Sequence, residues 1–445
     1  MDRTALAVWA GSRAFLLSLS LYARYATSSG KSSSWLGLWQ HWDWYRYLTV
    51  AEYGYTSGKG PSYDQNITAF LPGFPLVLHA VQPAVRDWAV SGLLISLVAG
   101  AVAVVALARL TEFEYSRRRP EGSPEQARRA ARCAVLLLVC APAAVFLAAG
   151  YTESLFLAFA VPGWLAARRG QWIKASVLIA AACTIRVNGL FVLAGVAVMF
   201  LTSRPARRDR LRAPALLLPL AAAGAYAAYL KDITGDWLEW LHAEKRGWSR
   251  SLTNPIKAWR TSWDNAFGGG TGFGENGGFP SAGTGGGSGG RGFGGGGNGS
   301  GFPGGGNGGP PQFGGGGGGG GRSGGFGAGS GNATGAGHLA GIGEFDVWAY
   351  RFELIAAVLG IATVLCLAGR RRWAELCYVG ISVFALVTST SYMSIPREML
   401  LWWPLWVGAA IWLAARRWAL IAACAASGVL MVATALLYFS GQWAG

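Results

Sequence analysis

The sequence predicts an all-α integral membrane protein, and three observations carry that expectation. The 445-residue chain is 52% hydrophobic and only 13% charged, against the roughly 25% charge of an average soluble domain. Six apolar stretches, Ala89–Leu110, Cys133–Ala149, Ala213–Leu230, Phe352–Ala368, Trp373–Val387 and Ala419–Phe439, approach or reach the ~20 residues with which a helix crosses a bilayer. Unpaired backbone amides are costly in lipid, so these stretches must be helical. Finally, the formal charge of +16 is not gathered on one soluble domain, as nucleic-acid binding would need. It falls in short clusters between apolar stretches: Arg117, Arg118, Arg119, Arg128, Arg129 and Arg132; Arg168, Arg169 and Lys174; Arg204, Arg207, Arg208, Arg210 and Arg212; Arg370, Arg371 and Arg372; Arg416 and Arg417. The positive-inside rule assigns all five clusters to the cytoplasm.

Taken in order, the first apolar segment, Thr4–Tyr25, is long for a signal peptide and lacks a small-residue cleavage site, so it reads as a retained helix. The amino terminus then lies inside. A long outer loop follows over Ala26–Asp87, and the second helix returns near Leu110. Leu155–Ala167, Trp172–Thr184 and Gly189–Leu201 are each short of a full span, which suits tilted or partly penetrating helices. Arg186 and Asn188 fall at the outward turn between the last two. About eleven helical segments result, with the carboxyl end outside. Residues 1–267 form a membrane domain with outer loops at 26–87 and 231–267, residues 268–343 an insertion, and residues 344–445 the C-terminal membrane helices.

The insertion, Gly268–Gly343, is mostly Gly with Ser, Asn, Pro and scattered Phe. Such a tract buries no core and is expected to be a disordered outer spacer. Its GxGxxG matches carry no phosphate-binding weight, because no strand or helix flanks them. The six cysteines, Cys133, Cys140, Cys183, Cys366, Cys377 and Cys424, show no CxxC spacing and read as small membrane-helix residues rather than a metal or disulfide site.

Chemically useful residues gather in the outer segments. Trp35, Leu38, Trp39 and Trp42 have helical spacing, which predicts an interfacial amphipathic helix holding Asp43 near the lipid headgroups. A local Asp43–Arg46 ion pair is the plainer alternative. Glu52 lies nine residues from Asp43, on nearly the opposite side of a continuous helix. His79 reads as a satisfied polar residue. Tyr151–Ser154, Thr184–Gly189 and Ser394–Glu398 bring Glu153, Arg186 and Arg397 to the ends of apolar segments, where ionisable groups are expensive and face polar cavities. Two arginines suit an anionic headgroup, since guanidinium grips phosphate through parallel hydrogen bonds. An Arg186–Glu153 or Arg397–Glu398 structural pair is the alternative. A second Trp-rich surface segment, Thr234–Trp248, offers His242 and Lys245.

Together these segments resemble the PIG-V family of mannosyltransferases, within the GT-C class of membrane glycosyltransferases. The resemblance lies in WDWY (Trp42–Tyr45), EYGY (Glu52–Tyr55), AFLPGFP (Ala69–Pro75), YTES (Tyr151–Ser154), TIRVNG (Thr184–Gly189), TGDWLEWLHAEKRGW (Thr234–Trp248) and SIPRE (Ser394–Glu398), in family order across most of the chain. Two features depart from the pattern: the Gly-rich insertion, and Glu398 where an aromatic residue is expected. The resemblance implies a GT-C-like fold and transfer of a sugar, expected to be mannose, from a polyprenyl-phosphate donor to an acceptor hydroxyl. Asp43 would be the general base. Arg46, Glu52, Glu153, Arg186, Asn188, His242, Lys245 and Arg397 are the candidate substrate-binding residues. The partners implied are the lipid-linked donor, which acts as co-substrate, membrane lipid, and a glycolipid or glycoprotein acceptor. No motif demands a cofactor, and a divalent metal is left open. The high Ala, Arg, Gly and Trp content points to a bacterial cytoplasmic membrane with an extracytoplasmic site. The rival functions are a transporter or flippase of lipid-linked saccharides, and a surface protein that engages wall polymer through its Gly-rich tract.

Overall fold

The computed structural model describes residues 2–27, 34–203, 206–248, 251–267 and 342–442. The Gly-rich insertion expected at 268–343 lies, but for its last two residues, outside them. Helix α1 (Asp2–Thr27) leads through a 3₁₀ turn at Trp35–Trp39 to α2 (Asp43–Tyr53). The chain continues as α3 (Gly73–Val85), α4 (Trp88–Arg118), α5 (Pro124–Val139), α6 (Thr152–Arg168), α7 (Trp172–Ile185) and α8 (Asn188–Thr202). Then come a short α9 (Arg207–Arg210), α10 (Leu218–Thr234), α11 (Glu239–Trp248) and α12 (Pro255–Phe267). Beyond the insertion lie α13 (Ile342–Gly369), α14 (Trp373–Val387), a single turn and a half α15 (Ile395–Met399), α16 (Trp403–Leu413) and α17 (Arg417–Phe439). Among the described residues the only β pairing is an isolated bridge between Leu252 and Ser389.

Among the described residues five helices are long and apolar enough to cross a membrane: Asp2–Ala26, Trp88–Arg118, Ala213–Thr234, Trp348–Gly369 and Arg417–Phe439. Helices α3, α7, α8, α14 and α16 are apolar but shorter. The chain is thus an all-α integral membrane protein. Its α4 packs on α5 and α6, α6 on α7, and α8 on α14. Local sequence sets the helix ends: Ser123 and Gln126 close a capping box at the start of α5 with Pro124 at its first position, and Asp87 accepts the Val90 amide at 2.9 Å to cap α4.

Three expectations are corrected. Cys133–Ala149 is not one span: α5 stops at Val139 and a 3₁₀ turn follows at Ala144–Leu147, because Pro142 removes an amide and its ring clashes with the preceding helical turn. The stretch 26–87, expected as one long outer loop with a single surface helix around Trp35–Trp42, carries α2 and the apolar α3 instead. Nor do the tryptophans of 35–42 form one interfacial helix. The 3₁₀ turn ends at Trp39, Trp42 takes a left-handed φ of 45°, and α2 starts afresh at Asp43. Trp39 is only 2% exposed, its ring 4.8 Å from that of Phe439 at the end of α17; burial against α17 outweighs the headgroup preference of Trp.

The far end of α6 is tied by charge. Glu114 of α4 accepts hydrogen bonds from Arg168 at 2.6 Å, Arg372 at 2.8 Å and Arg118 at 3.3 Å, while Arg372 also pairs with Glu375. This network joins α4, α6 and α14 with Glu114 and Glu375 buried.

Candidate active site

At the opposite end of α6 a second charged cluster forms where four segments meet: the first residue of α2, the first turn of α6, the α7–α8 turn, and α15. Arg397 is its hub. Its Nη1 donates to Asp43 Oδ2 at 2.7 Å and its Nε to Glu153, and its guanidinium lies over the rings of Phe146 and Tyr151 at 5.0 and 4.7 Å. Arg186 Nη1 donates to Glu153 Oε1 at 2.9 Å and to Thr152 Oγ1 at 2.7 Å, and its Nη2 pairs with Glu398. Asn188 donates to the other oxygen of Glu398 at 2.9 Å. Three carboxylates therefore share two guanidiniums. Glu153 is wholly buried and Arg397 nearly so, whereas the Asp43 side chain keeps 19% of its surface exposed.

The backbone is bent to bring these groups together. Trp42, the residue before α2, has φ 45°, and Ser394, the residue before α15, has φ 65°. Both positions are strained for a side-chain-bearing residue and persist only where surroundings enforce them. The first turn is pinned by Tyr151, whose hydroxyl donates to the His41 carbonyl at 2.6 Å, and by Tyr438, which donates to the Trp39 carbonyl at 2.9 Å. Burial pushes the His41 imidazole below its ordinary pKa, which favours the neutral ring. The second turn is held by Glu353, a buried carboxylate on α13 that accepts the Ser394 and Ile395 amides at 2.7 and 2.8 Å. Helix α2 is seated by Trp44, wedged between Gly92 and Gly150; a Cβ at either glycine would come within 2.5 Å of its ring. Only glycine leaves room for that approach.

A cavity of about 450 Å³ opens beside the cluster. Asp43, Arg186, Asn188, Arg397 and Glu398 furnish its polar wall, and Phe70, Trp240 and Trp248 belong to its apolar side. Helix α11 is fastened over the 66–70 turn by Thr68 donating to Glu239 at 2.7 Å and Trp240 donating to the Ala69 carbonyl at 3.0 Å. A pocket that joins a broad apolar side to a few convergent charges suits an amphiphilic ligand with an anionic or polar head.

The structure gathers five of the candidate site residues, Asp43, Glu153, Arg186, Asn188 and Arg397, into one cluster. Arg46 does not form the local pair with Asp43. It pairs with Asp64 at 2.7 Å, near the rings of Phe70 and Trp248 that belong to the cavity wall. Glu52, His242 and Lys245 are exposed and outside the cavity lining; His242 pairs instead with Asp236 at 2.5 Å. His79 is satisfied by the Ala51 carbonyl at 2.8 Å. The Arg186–Glu153 pair forms, whereas Arg397 bonds to Asp43 and Glu153 and leaves Glu398 to Arg186.

Sequence reasoning missed Thr152, Asp64, Glu353 and Glu398 as members or supports of the site. Glu353 did leave a signal, since a lone carboxylate at the head of the apolar run Phe352–Ala368 demands a buried partner. Among the described residues no group of three or more His, Cys, Asp or Glu side chains is arranged to hold a metal ion.

Fold and site together define a polytopic all-α membrane protein with a charged, partly apolar cavity at one end of its helices. Residues 16–204, which carry Asp43, Glu153, Arg186 and Asn188, match the family described as mannosyltransferase (PIG-V). Arg397 and Glu398 lie beyond that match. Mouse GPI alpha-1,6-mannosyltransferase 2 is 36% identical over 167 residues, 35% of this chain and 30% of the mouse protein. The human protein of the same name gives the same identity and coverage. GPI mannosyltransferase 2 of Yarrowia lipolytica is 38% identical over 90 residues, 20% of this chain and 25% of the yeast protein. The match thus spans under a third of these relatives. No solved structure matches significantly.

Proposed function

We propose that this protein is a membrane mannosyltransferase that moves mannose from a polyprenyl-phosphate donor to an acceptor hydroxyl on the extracytoplasmic side of a bacterial cytoplasmic membrane. The observation that carries the reading is the Asp43–Arg397–Glu153–Arg186 cluster on the wall of a cavity with a large apolar side. The acceptor oxygen attacks the anomeric carbon as the bond from that carbon to the phosphate oxygen breaks. Asp43 takes the hydroxyl proton, and the phosphate leaves with the electron pair and with inversion at carbon. Arg186 and Arg397 donate hydrogen bonds to the departing phosphate. Glu153 and Glu398 fix those guanidiniums from the other side, and the apolar wall takes the first isoprene units. The similarity to GPI mannosyltransferases supports the sugar and the class of reaction.

The test uses purified full-length protein with radiolabelled polyprenyl-phosphate mannose and a lipid extract as acceptor. Label should move to a product of inverted anomeric configuration, and GDP-mannose should not replace the lipid donor. Transfer from GDP-mannose alone would contradict the donor assignment.

A further inference from the structure

A second cavity, of about 390 Å³, lies at the other end of α6. Helices α1, α4 and α6 and the first turn of α7 wall it. Leu6, Val102 and Leu165 form an apolar side, and Arg109, Arg169 and Lys174 stand together at its polar end. Arg109 is already engaged by Asp2. Arg169 lies 6.0 Å over the Phe113 ring, and among the described residues neither it nor Lys174 has a carboxylate partner. The apolar side stays open, with Val102 47% exposed. The groove therefore joins two uncompensated cations to an apolar track that runs along membrane-spanning helices.

A phosphate with an attached hydrocarbon chain is the complementary ligand, and in a bilayer that is a phospholipid. We propose that this groove binds an anionic phospholipid, with its phosphate between Arg169 and Lys174 and one acyl chain along Leu6, Val102 and Leu165. Basic pockets between membrane helices recognise anionic headgroups in this way, because a zwitterionic lipid carries a cation that the same residues repel. The Asp43 cavity is separated from this groove by most of α6, whose 17 residues span roughly 25 Å. The lipid site does not rest on the sugar-transfer reading.

Native mass spectrometry of the full chain in mild detergent, titrated with phosphatidylglycerol or phosphatidylcholine, reads the proposal directly. Phosphatidylglycerol should be retained more strongly, and Arg169→Gln and Lys174→Gln should each weaken it by about fivefold. The pair Arg128→Gln and Arg129→Gln, a matched loss of charge on α5 outside the groove, should leave retention unchanged. Equal retention of the two lipids, full retention in the Arg169→Gln/Lys174→Gln variant, or the same loss in the α5 control would overturn the proposal. So would inorganic phosphate displacing the lipid at equal concentration, since the acyl track would then contribute nothing.

Discussion

The two charged clusters of this protein sit at the two ends of α6 and use the same groups in opposite proportion. Around Glu114, two carboxylates face three guanidiniums, the acids are buried, and neither cavity reaches them. Around Arg397, three carboxylates face two guanidiniums, and Asp43, Arg186 and Arg397 line open space. Access, more than chemistry, separates them. A sealed network can only hold helices together, whereas a network with one face on a cavity can trade an internal partner for a ligand.

The largest effect expected on stability is at the sealed cluster. Glu114→Gln leaves three half-buried arginines short of a buried counter-charge and should cost about 3–5 kcal/mol, read as a lowered thermal midpoint in detergent with transfer per folded molecule near wild type. An unchanged midpoint would break the structural half of the comparison. Next is Gly150→Ala, whose Cβ would meet the Trp44 ring and push α2 aside. Displacing Asp43 by ~1 Å should cut transfer by about a hundredfold, with a smaller stability loss of roughly 1–3 kcal/mol; wild-type turnover would mean that α2 need not be held where Trp44 seats it. Glu353→Gln keeps one acceptor for the Ser394 and Ile395 amides but loses the other, so it should destabilise by about 1–3 kcal/mol and slow transfer through a displaced α15. Smallest are His242→Ala and Lys245→Ala, exposed positions expected to stay within about 0.5 kcal/mol of wild type with unaltered transfer. A rate defect in either would draw the polar face of α11 into the site.

Much of this was legible in the sequence. Apolar length marked α1, α4, α10, α13 and α17, because a bilayer imposes one length on any helix that crosses it. The ionisable residues at the ends of apolar segments, Glu153, Arg186 and Arg397, were found for the related reason that charge is expensive there. Pairings were less accessible. That Arg397 would bond to Asp43, 354 residues away, rather than to its neighbour Glu398, depends on the left-handed turn at Ser394 and on Glu353 capping it. Helical spacing also promised one continuous helix at Trp35–Tyr47; periodicity reports a face, not the break at Trp42 where Tyr151 and Tyr438 tie down the chain. Glu52, Lys245 and His242 entered through segment-level resemblance, which cannot tell a lining residue from an exposed one in the same segment.

The central claim, that the open cluster is a reaction centre and not a second structural tie, is tested most directly by measuring two quantities on purified Asp43→Asn: transfer from polyprenyl-phosphate mannose, and the thermal midpoint. The asparagine keeps an acceptor for Arg397 but cannot take a proton at neutral pH. Transfer should fall by about 10²- to 10⁴-fold while the midpoint stays near that of the unsubstituted protein. Undiminished transfer, or a loss of transfer matched by a loss of folded protein, would contradict the account.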